Sequence, residues 1–129
     1  MIWMDSSFII DWFIDDPKIG SYDLGKATLA TTSFQYIEVL SFFLKKSETH
    51  FKEVVSELEA IKFVSPSGES LVEASRLYVS SKRKNPKISY ADAVLATLAK
   101  NRHDTLLTFD NDFNDLGFQK IQGFWYPKK

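Results

Sequence analysis

With 129 residues, 44% of them hydrophobic and 15% aromatic, the chain is long enough to close one hydrophobic core and too short to favour two. Zero cysteines exclude a disulfide framework and a thiolate metal site, and two histidines, His50 and His103, supply a zinc site poorly, so any bound metal has to be held by oxygen. A net charge of −1 excludes the overall basic character of many nucleic-acid-binding domains, and positive charge is only local: Lys45-Lys46, Lys82-Arg83-Lys84 with Lys87, and Lys128-Lys129.

Each basic group reads either as a solvated helix end or as a local phosphate contact. No apolar run approaches the roughly 20 residues that span a bilayer, and Met1 to Asp5 lacks the basic start and long apolar centre of a signal peptide. The expectation is a cytoplasmic protein with no membrane partner.

In chain order, Ile2-Trp3-Met4 is a short apolar strand stopped by Asp5-Ser6-Ser7, and Phe8-Ile9-Ile10 with Trp12-Phe13-Ile14 reads as a short, heavily buried helix. Asp15-Asp16-Pro17 through Gly25 carries turn-forming residues of a loop or a broken helix. Thr28 to Thr31 reads as a second strand, and a capping Thr32 or Ser33 opens a helix over Phe34 to Lys46 that is apolar nearly all round, which predicts burial or a partner surface.

Phe51, Val54, Val55, Leu58 and Ile61 follow amphipathic helical spacing, and Lys62 to Ser65 forms a third strand ended by Pro66. Leu71, Ala74, Leu77, Tyr78 and Ser81 mark a helix face that closes in the basic cluster before Asn85-Pro86. Ser89 caps a mostly buried helix, Tyr90 to about Arg102, with Asp92 inside it. Strand four, Thr105 to Phe109, stops at Asp110-Asn111-Asp112, and a turn through Leu116-Gly117 leads to one last strand around Ile121 to Phe124. Strands alternating with helices, without repeats or a long linker, predict a single α/β domain over residues 1–129, three layers deep, with helices on both faces of a central parallel sheet.

This topology places the acids. Crossover helices begin at the carboxyl edge of a parallel sheet, so Asp5 and Asp110, at strand ends, Glu38, in the second turn after strand two, and Asp92, in the first turn before strand four, share that edge. Ligands bind there, where strand order reverses. Clustered carboxylates raise one another's pKa unless a cation neutralises them, and all-oxygen ligation suits Mg²⁺ or Mn²⁺.

Each acid also has a purely structural reading. Asp5 caps the following helix. Asp92 completes a Ser-x-x-Asp capping box with Ser89. Asp112 reads as a second metal contact or a cap before Phe113. Asp110-Asn111-Asp112 is not a calcium loop, since Asp115 and Ile121 stand where glycine and glutamate belong. It shares the Asp-x-Asp of aspartate-nucleophile phosphatases, but Phe113-Asn114 breaks that pattern. Trp3, Trp12, Tyr90 and Phe124-Trp125-Tyr126 serve either core packing or base stacking.

Four segments, MDSSFIID at 4 to 11, TTSFQYIEVL at 31 to 40, ISYADAVLATLA at 88 to 99 and LLTFDNDF at 106 to 113, resemble in order and spacing the PIN-domain family, specifically its small VapC-type toxin ribonucleases. The resemblance covers nearly the whole chain. It implies sheet order 3-2-1-4-5 and carries the family's metal-site acids onto Asp5, Glu38, Asp92 and Asp110, with Asp112 as a further acid and Ser6 and Thr108 as the hydroxyls beside the site. It further implies cleavage of single-stranded RNA to 5′-phosphate and 3′-hydroxyl ends, a homodimer, and a small antitoxin that blocks the cleft. Two other readings remain open: a non-catalytic protein-binding module that uses the acidic pocket for a partner's arginines, and an aspartate-dependent phosphatase.

Overall fold

A computed structural model describes residues 1–14, 24 and 26–129. The loop read from Asp15 to Gly25 lies, Leu24 excepted, outside the described residues. Strand β1 is Ile2–Met4, β2 Leu29–Thr32, β3 Lys62–Val64 and β4 Thr105–Leu107. Helices α1, Ser6–Phe13, α2, Ser33–Lys46, α3, Glu48–Glu57, α4, Gly68–Lys82, and α5, Tyr90–Asn101, fill the crossovers between them.

Each helix starts where a side chain can accept the backbone N–H groups that its first turn leaves unpaired. The caps are Asp5, Thr32, Ser47, Ser67 and Ser89, accepting from Phe8, Gln35, His50, Ser70 and Asp92 respectively.

The first four strands pair in parallel in the order β3-β2-β1-β4. Successive residues of a strand face opposite sides, so in β1 Trp3 enters one core and Met4 the other, and in β4 Leu106 and Leu107 divide the same way. On one side Trp3 and Leu106 pack with Ala74 of α4 and Leu95 and Ala99 of α5. On the other, Met4 and Leu107 pack with Phe8 of α1, Val39 and Phe43 of α2 and Val54 of α3. Trp3, Met4, Phe8, Phe43, Leu95, Leu106 and Leu107 are all fully buried. Burying side chains of this size stabilises by roughly 1.5–3 kcal/mol apiece, which fixes the two central strands and hence the residues at their ends.

Two expectations change. α1 is less buried than its composition suggests: Phe8 and Ile9 face the core, but Ile10, Trp12 and Phe13 are only partly buried, and Ile14, which caps the helix, is exposed. The single last strand is a hairpin, β5 Phe118–Ile121 and β6 Phe124–Pro127, and β6 runs antiparallel beside β4 with Trp125 opposite Leu106, giving β3-β2-β1-β4-β6-β5. The turn falls inside the segment read as one strand. Gln122 and Gly123 both take positive φ, 51° and 88°, the backbone that a two-residue hairpin loop needs to match strand twist.

Gly117 ends the 3-10 turn Asn111–Leu116 with φ 89° and leads into β5. Gly117→Ala is expected to cost about 1–2 kcal/mol, since an L residue is strained at that φ. An added Cβ would also stand 2.6 Å from Lys100 Nζ, although that flexible tip can withdraw. A urea midpoint that does not fall would contradict this.

Candidate acidic site at the carboxyl edge

The apolar run of β1 ends at Asp5, which is 4% exposed and forms the floor of the site. Its Oδ1 accepts from Phe8 N at 3.0 Å, Ser7 Oγ lies 3.0 Å from both carboxylate oxygens, and Thr108 Oγ1 donates to Oδ2 at 2.5 Å. Asp5 is therefore a helix cap, as its structural reading holds, and also a buried acid facing the end of β4. Burial pushes its pKa from 3.8 up to about 7, outweighing the opposing hydrogen bonds from Thr108, Phe8 and Ser7, and the charge of Asp92 adds a smaller upward push.

Thr108 joins the two central strand ends. While its hydroxyl donates to Asp5, its oxygen accepts from Asp110 N at 2.9 Å. Asp110 caps the next 3-10 turn, accepting from Asp112 N at 2.9 Å, and Asp112 is held in turn by Asn85 Nδ2 at 2.8 Å. Burial raises Asp110 above the usual carboxylate range, and the charges of Asp112 and Asp92 push the same way.

Asp92 stands in the first turn of α5, its backbone N–H donating to Ser89 Oγ at 3.1 Å, so the capping box also exists as read. Its carboxylate faces α2, where Gln35 Nε2 donates to it at 3.4 Å. Burial raises its pKa first, and the charge of Asp112 contributes. Glu38, one turn beyond Gln35, lies at the exposed rim and accepts from Ser6 Oγ at 3.3 Å. Its pKa is raised by partial burial and then by Asp92. Glu38 borders a groove of about 390 Å³ whose lining is mixed, with Ile37 and Phe42 beside Ser6, Ser41 and Lys45.

The charge of Asp92 thus reaches each of the other three edge acids, Asp5, Glu38 and Asp110. Two residues that the sequence reading passed over organise them. Gln35 is buried, and its Oε1 accepts from Ser6 N at 2.7 Å while its Nε2 reaches Asp92, tying α1, α2 and α5 together. Asn85 anchors Asp112 and also donates to Asp115 at 3.1 Å. A polar residue on the buried side of an otherwise apolar α2 was the available signal for Gln35.

Among the described residues no three acids or histidines stand close enough together to enclose a metal ion ready-made. Mg²⁺ and Mn²⁺ do not require such a cage, because Mg²⁺ keeps several waters and binds through one or two carboxylates together with substrate phosphates. The donor set fits: hard oxygens only, carboxylates whose ionised forms are disfavoured by burial and by neighbouring charge, and, among the described residues, no cationic side chain hydrogen-bonded to them.

Comparison with known proteins agrees with this architecture. A family model described as the PIN domain matches residues 2–119. No curated protein sequence matches the chain. Among solved structures, VapC20 of Mycobacterium tuberculosis, a sarcin-ricin loop cleaving toxin, superimposes with a TM-score of 0.73 at 14% identity, covering 94% of this chain and 98% of that one. VapBC2 of Rickettsia felis, solved with a DNA fragment from its promoter, gives 0.68 at 21% identity, with 90% and 93% covered. VapBC-1 of nontypeable Haemophilus influenzae gives 0.68 at 18% identity, with 90% and 92% covered. At these identities the likeness is one of fold. Among the described residues, no helix is long and apolar enough to cross a membrane.

Proposed function

We propose, from the premise that this chain belongs to the PIN domain family, that it is a metal-dependent endoribonuclease of single-stranded RNA and the toxin of a toxin–antitoxin pair, acting as a single domain over residues 1–129. PIN-domain nucleases generally use divalent metal ions. The observation that carries the reading is the meeting of Asp5, Glu38, Asp92 and Asp110, from four separate segments, at one edge with raised proton affinities.

In this reading Asp5, Asp92 and Asp110 hold Mg²⁺ or Mn²⁺ directly or through water, with Asp112 as a further ligand steadied by Asn85. When bound, the cation supplies positive charge beside the scissile phosphate and makes a neighbouring water more acidic. Glu38, exposed and tethered only lightly by Ser6, orients the attacking water and accepts its proton, for which a raised pKa is suited. Thr108 and Gln35 hold Asp5 and Asp92 in position.

The test is cleavage of single-stranded RNA with Mg²⁺ or Mn²⁺, and again with EDTA. The expected result is metal-dependent cutting that leaves 5′-phosphate and 3′-hydroxyl ends. Undiminished cutting in EDTA, or 2′,3′-cyclic phosphate ends, would refute the reading.

The partner roles follow from α2, where Phe34, Ile37 and Leu44 are exposed, Ile37 by 62%. Exposed apolar side chains along one helix suit an antitoxin or a second copy. The similar Klebsiella pneumoniae structure is itself a toxin-antitoxin complex, sharing 16% identity at a TM-score of 0.63. In a second, non-catalytic reading the same carboxylates, disfavoured as anions by burial, receive a partner's arginines. Calorimetric titration with Mn²⁺ separates the two, since an arginine pocket takes up no metal.

A further inference from the structure

Two amide side chains from distant parts of the chain meet the acids in the same way. Gln35, 1% exposed, accepts from Ser6 N through Oε1 at 2.7 Å and donates through Nε2 to Asp92 Oδ1 at 3.4 Å. Asn85, partly buried in the loop between α4 and α5, accepts from Lys87 N through Oδ1 at 3.1 Å, and its Nδ2 donates to Asp112 Oδ1 at 2.8 Å and to Asp115 Oδ2 at 3.1 Å. A backbone N–H can only donate. In both residues it therefore fixes which end of the amide is oxygen, and the NH₂ end is left facing an acid.

Each amide thus occupies one oxygen of its carboxylate. Asp110 is held likewise, its Oδ1 accepting from Asp112 N at 2.9 Å, and Asp5 has protein donors at both oxygens. A carboxylate held in this way cannot turn both oxygens towards a cation without breaking the bond, and the partial positive charge of the N–H stands beside the oxygen that a second contact would need. The consequence differs between cations. Mg²⁺ demands octahedral geometry and keeps several waters, so a single oxygen from each of one or two acids suffices, whereas Ca²⁺ gathers roughly six to eight oxygens and often takes carboxylates through both at once. A lysine or arginine could hold the same oxygens, but its full charge would oppose a cation, and a neutral amide donates without that repulsion.

We propose that Gln35 and Asn85 are positioning residues that set the cation selectivity of the acidic site, each limiting its acid to a single-oxygen contact and so favouring a small octahedral cation over Ca²⁺. This rests on the metal-dependent nuclease reading and deepens it, because the choice of metal then lies with two neutral residues that act through Asp92 and Asp112. Partners that orient a metal's ligands commonly decide affinity in this way. The two amides reach the site independently, one from inside α2 and the other from the loop before α5, so that each can be tested alone.

The experiment is calorimetric titration of the protein, without RNA, with Mn²⁺ and with Ca²⁺. Wild type is expected to bind Mn²⁺ more tightly. Gln35→Met, which keeps the side chain's length and fills its buried position, is expected to weaken Mn²⁺ about 10- to 100-fold, the usual loss when a group supporting a metal ligand is removed. Ca²⁺ should change by less than about threefold, because the freed oxygen offsets the lost positioning. Asn85→Ala, in a partly buried loop where folding is less at risk, should move the ratio of the two affinities the same way. A ratio unchanged in either folded variant overturns the proposal for that residue, even where melting in EDTA falls, since a merely structural amide would give that result. Equal binding of the two cations by wild type also overturns it. Wild type that takes up no Mn²⁺ overturns it together with the metal reading, whereas RNA left uncut by a protein that selects Mn²⁺ through these amides refutes the nuclease reading alone.

Discussion

Asp92→Asn is expected to lower RNA cleavage by about 10²–10³-fold while leaving the fold intact, the loss typical of removing one group that organises charge at a reacting phosphate or carbonyl. The substitution is nearly isosteric. The backbone N–H of residue 92 still donates to Ser89, and an amide oxygen still accepts from Gln35. What disappears is the charge that acts on Asp5, Glu38 and Asp110 at once. Those three should therefore titrate at lower pH in the variant, and any residual activity should shift its acid limb in the same direction. Stability at neutral pH should not fall, because a repulsive neighbour has been removed. Equal cleavage by wild type and variant would remove Asp92 from the site, and a loss of activity accompanied by a lowered melting temperature would remove the inference from chemistry to charge.

Much of this arrangement was legible because the residues that end the strands also carry the charge. Ile2-Trp3-Met4 and Thr105-Leu106-Leu107 are apolar on both faces, as central parallel strands must be, and each is stopped by polar residues leading to an acid. The helix caps Thr32 and Ser89 fixed where α2 and α5 begin, and hence which turn holds Glu38 and Asp92. A capping role and a place in the acidic cluster did not compete: Asp5 and Asp92 do both, since a helix N-terminus favours negative charge.

The carboxyl-terminal hairpin was hidden for a local reason. Gln122-Gly123 lacks the asparagine or aspartate that marks most two-residue turns, and Gln122 adopts a positive φ that its type rarely takes. Pairing along four register positions between β5 and β6 stabilises that turn from outside it. Gln35 and Asn85 escaped for a different reason: their roles consist of bonds to residues tens of positions away, which no periodicity encodes.

The same burial that hides Asp5 should make the protein's stability depend on pH and on metal. The unfolded chain holds the Asp5 proton only below about pH 3.8, whereas the folded protein holds it up to about 7. The folded state binds the extra proton throughout that window, so the stabilisation is complete below pH 3.8 and drains away as pH rises towards 7. A shift of that size corresponds to about 4 kcal/mol, most of it lost by pH 8 in EDTA. Asp5→Asn should flatten the profile, with a baseline cost of about 1 kcal/mol because the amide cannot accept from Phe8, Ser7 and Thr108 together. Mn²⁺ at about 100 times its dissociation constant should return about 2.7 kcal/mol to the wild type at pH 8, and much less at pH 5, where protons compete for the same oxygens. Urea unfolding at the two pH values, with EDTA and with Mn²⁺, measures all of this without any RNA. A wild-type profile as flat as that of Asp5→Asn would mean that Asp5 is ionised at little cost, and equal stabilisation of both proteins by Mn²⁺ would place the cation elsewhere.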